Sequence, residues 1–143
     1  MTTIYTKLAA DGTDLPADAT GHQAVRIEHP LLARPLIVTA MKAPERMTQA
    51  QAVKWAESLT TYGWSWRLPT ADEGFFIPDR SQYPATPKLY FPDVEEYEWI
   101  WASTVDAEDP SDCAWLVDLR LGGVGRYDRT HRNDVRAVRA GQN

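Results

Sequence analysis

Trp66-Arg67-Leu68-Pro69-Thr70-Ala71-Asp72-Glu73 is the stretch from which the rest of the chain can be oriented. Thr70 and Glu73 stand at the spacing of a capping box: the Thr hydroxyl accepts an orphan backbone N–H, and the acid reaches back to the N–H of the cap. A short helix therefore begins after Thr70, with Phe76 and Ile77 on its apolar side and Pro78 limiting its regular extension. Upstream, Thr48-Gln49-Ala50-Gln51 carries the same signature. Ala52, Trp55, Ala56 and Leu59 then recur at i, i+3, i+4 and i+7 and form one apolar stripe. Gly63 is placed to end this helix in the left-handed conformation.

Strand patterns flank the helices. Ala24-Val25-Arg26-Ile27-Glu28 alternates apolar and charged residues, and Leu36-Ile37-Val38-Thr39-Ala40 is a β-branched run suited to a buried strand. Residues 1–22 hold turn formers without sustained periodicity and are expected to be an extended or loosely attached segment, leaving 23–143 as one domain. Pro84, Pro87 and Pro92 make 79–97 a packed irregular stretch, held by Tyr83, Leu89, Tyr90 and Phe91. Alternation returns at Trp99, with Trp101 and Ser103 on its face and Ile100, Ala102 and Thr104 on the other. Cys113–Arg120 and Val124–Arg129 read as strands joined by Gly122-Gly123, and Val135–Arg139 as the last strand. Helices followed by an antiparallel meander give an α+β fold class.

The chain has 143 residues, 43% of them hydrophobic and 24% charged, which is a single domain's worth of ordinary globular sequence. No apolar run approaches the ~20 residues of a membrane span, so no membrane partner is expected. No secretory signal is visible, which points to the bacterial cytoplasm or a virion. The single cysteine, Cys113, excludes an intrachain disulfide and a cysteine-rich zinc site; a buried inert thiol is its ordinary role. A net charge of −5 speaks against nonspecific or direct nucleic-acid binding. The charges are segregated: Asp93–Asp118 holds nine acids and no Lys or Arg, whereas Leu119 onward holds six arginines against two acids. Such segments either pair across neighbouring strands or form separate patches that steer a charged partner. Six tryptophans read as a Trp-rich core, or as an exposed shelf for sugars or a protein hot spot.

The order of motifs resembles the C-type-lectin-like domain family typified by the C-terminal domain of the Lcl collagen-like adhesin. The Trp66–Glu73 stretch is similar to its "WRLPT-x-x-E" signature. Asp79-Arg80-Ser81, Tyr90-Phe91-Pro92, Trp101-Ala102-Ser103-Thr104, Ala114–Leu119, Gly122-Gly123 and Val135-Arg136-Ala137-Val138-Arg139 follow in family order, over about residues 48–140. The resemblance implies a C-type-lectin-like fold: two helices packed on a twisted antiparallel sheet, with long loops presenting a variable surface. Formylglycine-generating enzyme-like domains are a more distant similarity. The residues before Thr48 look like the divergent start of short phage and prophage members.

Little catalytic chemistry is legible. The formylglycine-generating relatives rely on cysteines, and this chain has one. His22, His29 and His131 are scattered, and no cofactor is expected. Asp106, Glu108, Asp109 and Asp112 share a loop, but without the glycine-hinged spacing of a calcium site, so no metal is assigned. Arg67 is expected to be held by a carboxylate or carbonyls, and one of Arg136 and Arg139 to be buried and paired. The candidate binding surface is the region 105–134, through Asp106, Glu108, Asp109, Asp112, Arg126, Tyr127, Arg129, His131 and Arg132. The expected function is a non-catalytic binding module, a phage or prophage accessory protein recognising a protein partner. Three alternatives stand beside it: an inhibitor of a host-defence nucleoprotein complex acting through an acidic surface, a glycan-binding adhesin-like domain, and an enzyme of the formylglycine-generating type.

Overall fold

The computed structural model describes residues 2–141 and is an α+β protein with two α-helices and two antiparallel sheets. In the larger sheet, β1 (Ile4–Leu8) pairs with β3 (Ala24–Glu28) over its whole length, and β2 (Asp14–Leu15) lines its outer side. The N-terminal segment is thus extended but not loose. Leu8 enters the core beside Ala24 and Ile37, and Tyr5 Oη donates to the Ile77 carbonyl at 2.6 Å. These are long-range contacts that a local reading of turn formers does not register. The sheet continues through β4 (Leu36–Thr39) to β8 (Val138–Ala140).

The smaller sheet is a meander of β5 (Trp99–Val105), β6 (Cys113–Asp118) and β7 (Val124–Asp128). The last strand does not join it, and there are two sheets where one was expected. Asp134 exchanges backbone hydrogen bonds with Trp99 and Trp101 at 3.1 and 3.2 Å, and the chain then crosses to pair with β4. The terminal segment therefore stitches one sheet to the other. No helix among the described residues is long and apolar enough to cross a membrane.

Both capping boxes form. Helix α1 (Gln49–Ser58) begins with the Gln51 N–H on Thr48 Oγ1 at 3.3 Å and the Thr48 N–H on Gln51 Oε1 at 3.1 Å. Ala52 and Ala56 are buried, with Trp55 and Leu59 packed at the margin. The helix stops before Gly63: Leu59 turns extended, ahead of the poor helix formers Thr60 and Thr61. Gly63, at φ +67°, closes a separate 3₁₀ turn, Thr61–Gly63.

Helix α2 (Ala71–Phe75) lies against β6, where a Cβ on Gly74 would stand 2.7 Å from Val117. Its box is clamped from outside: Arg67 donates both terminal nitrogens to Glu73 at 2.6 and 2.8 Å. Partial burial pushes the Glu73 pKa up, but Arg67 and the Thr70 backbone outweigh it and hold the carboxyl below the usual glutamate range. A depressed folded pKa means stability present above the unfolded value and lost as pH falls through the folded one. Denaturation midpoints measured across the acid range will therefore fall less steeply for Glu73→Gln than for the parent; parallel curves would show that the clamp carries no pH-linked stability.

The pleat of the larger sheet divides the core in two. Leu8, Ala24 and Ile37 pack with α1, Trp66 and Trp101; Val25, Ile27 and Val38 pack with Ile77, Phe91 and Ile100. Strand β5 is buried on both faces from Ile100 to Ala102, so there its alternation separates two cores rather than core from solvent, before the strand runs out to exposed Ser103 and Val105. Trp66 and Trp101 are interior and the other four tryptophans are half-buried, so no tryptophan forms an exposed shelf. Trp101 Nε1 donates to the Met47 carbonyl at 2.8 Å.

Arg136 is fully buried. It donates to Glu98 at 2.7 and 3.1 Å, to Asp93 at 2.8 Å and to the Ala40 carbonyl at 2.7 Å. Burial alone lowers its pKa, but Glu98 and Asp93 more than reverse this and leave it raised. The two oppositely charged segments thus pair internally: Arg136 with Asp93 and Glu98, Arg126 with Asp106 and Glu108, Arg120 with Glu96.

Candidate binding surface

The structure breaks the 105–134 surface into small groups. Asp106 is buried, and it accepts from Arg126 at 2.7 Å and from the Glu108 N–H at 3.2 Å. Exposed Glu108 takes the same guanidinium at 3.1 Å. Arg129 is a strut: it donates to Gln49 Oε1 at 3.1 Å and to the Pro110 carbonyl at 3.0 Å, tying the loop to the start of α1. Asp109 and Asp112 serve through their carbonyls, which accept the N–H groups of Cys113 and Arg129. Tyr127 and His131 meet edge to face at 4.6 Å and are exposed, as is Arg132. What this surface offers a partner is one aromatic pair among charges that largely satisfy one another.

The candidate reactive groups lie apart. Cys113 is half-exposed at the first position of β6, not buried, because Ala114 takes the inward-facing place. Desolvation, then the carboxylates of Asp109, Asp106 and Asp128, raise its pKa, so the thiol stays protonated and a poor nucleophile. His22 Nε2 donates to the Tyr90 carbonyl at 2.6 Å, and His29 Nδ1 accepts the Leu31 N–H at 3.0 Å. Among the described residues, no three His, Cys, Asp or Glu side chains stand where they could hold a metal.

A second surface went unrecognised in the sequence. The irregular segment is anchored by Ala85, Thr86 and Phe91, which are buried, while Tyr83 and Leu89, expected to hold it, face solvent. The Ala85 N–H bonds the Arg120 carbonyl at 2.8 Å, seating the segment against the end of β6. Between them opens a cleft of about 390 Å³, with Pro84, Pro87, Val94 and Leu119 among its apolar lining. Beside it Arg120 stands between two rings, 5.6 Å from the centroid of Tyr83 and 5.3 Å from that of Tyr97. Arg120 Nε donates to Tyr83 Oη at 2.9 Å, and Nη2 lies 3.6 Å from Glu96. Tyr83 is 65% exposed and Tyr97 69%. Thr86 also lines the cleft; it is 1% exposed, and its hydroxyl has no protein partner. The three ladder residues come from separate stretches with no shared period; a tyrosine on each side of a proline-bounded irregular segment was the only available hint.

The profile of the Lcl C-terminal domain matches residues 23–139. The chain belongs to the Lcl C-terminal domain family. No curated protein gives a significant match. In this Lcl C-terminal domain the signature residues serve the scaffold: Arg67 clamps Glu73, Phe91 and Trp101 fill the two cores, and Arg136 joins the sheets. Tyr83, Thr86 and Arg120 of the cleft, and Tyr97 beside Arg120, all lie between those motifs. The matched region omits β1 and β2, which the fold nonetheless uses.

Proposed function

We propose that this Lcl C-terminal domain is a non-catalytic module that binds a protein partner through the Tyr83–Arg120–Tyr97 ladder and the cleft beside it. The observation that carries this reading is the ladder itself: two largely exposed tyrosines against one guanidinium. Tyr and Arg are the residue types enriched at interfaces and their hot spots, since they supply contact area and hydrogen bonds at little conformational cost. A C-type-lectin-like scaffold, with long loops over rigid sheets, suits such a role. The same proposal takes the protein as a phage or prophage accessory protein, cytoplasmic or virion-associated, on its resemblance to short family members. Capture through a bare acidic face has less support, because Glu95, Glu96, Asp106 and Glu108 each have a cationic neighbour.

A photo-crosslinking side chain in place of Tyr97 tests the site directly. Irradiated in bacterial lysate, it is expected to give a discrete protein adduct that the same group in place of exposed Glu57 does not. Identical adducts from both positions, or none from Tyr97, would remove the cleft as the interface.

A further inference from the structure

We propose a second binding site, sharing no lining residue with the cleft, that takes a dianionic phosphate group. It is the depression of about 610 Å³ at the end of β8, lined by Arg34, Arg67 and Arg139 with Trp64, Ser65 and Trp66.

Three arginines meet there in a chain whose net charge is −5. Among the described residues that line the depression none is an acid, and the Ser65 hydroxyl is the only side-chain acceptor. Arg67 is already committed, with both terminal nitrogens on Glu73. Arg34 and Arg139 are not. Among the described residues neither forms an ion pair, and Arg139 gives only its Nε, to the Ala140 carbonyl at 3.4 Å.

The fold holds the two uncommitted groups in place. The Arg139 guanidinium lies 4.4 Å from the Trp64 ring centroid, and that ring is braced by Tyr62 at 4.6 Å and Trp66 at 6.2 Å. A guanidinium stacked on a ring keeps its N–H groups at its rim, so Arg139 presents a fixed fork of donors and little ordering is left to pay on binding. Arg34 lies in the turn before β4. The Gly141 N–H bonds the Pro35 carbonyl at 2.7 Å and keeps that turn beside the end of β8.

This donor set selects among anions. A carboxylate has two oxygens and one charge, and a single guanidinium fork satisfies it. Two uncommitted forks and a hydroxyl exceed that demand. A phosphate monoester brings three acceptor oxygens and a charge of about −1.5 to −2 at neutral pH, so it engages both arginines at once. A sulfonate offers three oxygens but only one charge.

The test titrates the isotope-labelled full chain with phenyl phosphate, benzoate and benzenesulfonate at pH 7.5, following the Trp64 and Arg139 amide signals by NMR. Saturable shifts are expected for phenyl phosphate, with the two monoanions about tenfold weaker or more. Inorganic phosphate, run alongside, separates the sources: equal binding assigns the site to the free ion, weaker binding to an ester. Arg139→Gln and Arg34→Gln, at half-buried and exposed positions, are each expected to weaken phenyl phosphate by about tenfold. Lys54→Gln removes the same charge from an exposed position on α1 and is expected to change nothing. Equal binding of the three anions, shifts that do not saturate, arginine variants that bind like the parent, or an equal loss in Lys54→Gln would overturn the proposal.

Discussion

Arg136→Ala will destabilise the protein by about 3–5 kcal/mol, the usual result of removing one partner from a buried ion pair. The guanidinium is fully enclosed and makes four hydrogen bonds, three of them to carboxylates. Alanine strips the guanidinium from Asp93 and from fully buried Glu98, which keeps as cation only the Lys42 ammonium at 3.8 Å. The Ala40 carbonyl also loses its donor. Domains of this size are stable by only about 5–15 kcal/mol, so the urea midpoint should fall by about a fifth or more. The contrast with Arg136→Met/Glu98→Met is informative: two apolar side chains remove both charges together, and much of the loss should return. If Arg136→Ala stays within about 1 kcal/mol of the parent, the network is not what joins the sheets.

Trp101→Ala is the second large effect, again about 3–5 kcal/mol. The indole is wholly enclosed between α1 and the sheets, and its N–H holds the Met47 carbonyl just before the Thr48 cap. Truncation opens a cavity and orphans that carbonyl together. Trp101→Phe keeps much of the ring but not the N–H, so about 1–2 kcal/mol is expected. Both are read by urea denaturation. Equal losses for the two variants would mean that the hydrogen bond, not the volume, holds the start of α1.

Local physics was legible in the sequence and long-range physics was not. Thr48 with Gln51 and Thr70 with Glu73 each specify a cap within four residues, and both caps form as read. The strands from Ala24, Leu36, Trp99, Cys113 and Val124 follow from alternation and β-branching. What alternation cannot give is the partner of a strand. Val138–Ala140 has the same pattern whether it pairs with β7 or β4, and backbone bonds from Asp134 to Trp99 and Trp101 decide it. Residues 4–8 failed for the same reason, since their worth lies in Ala24–Glu28 and Ile77. The proposed binding cleft was hidden because its residues become neighbours only after folding. The charged loop drew attention by composition, yet Arg126 and Arg129 spend their hydrogen bonds inside it.

Strand β1 carries a consequence for where this domain begins. The family match starts at residue 23, one residue before β3, whose outer edge β1 covers. A chain begun there would bare the N–H and C=O groups along one side of this five-residue strand and uncover the face that Leu8 seals. Such an edge is a template for pairing with another chain, so the shortened form would be prone to aggregate or swap strands. The boundary of the shared sequence and the boundary of the cooperative folding unit are different places, separated here by one hairpin.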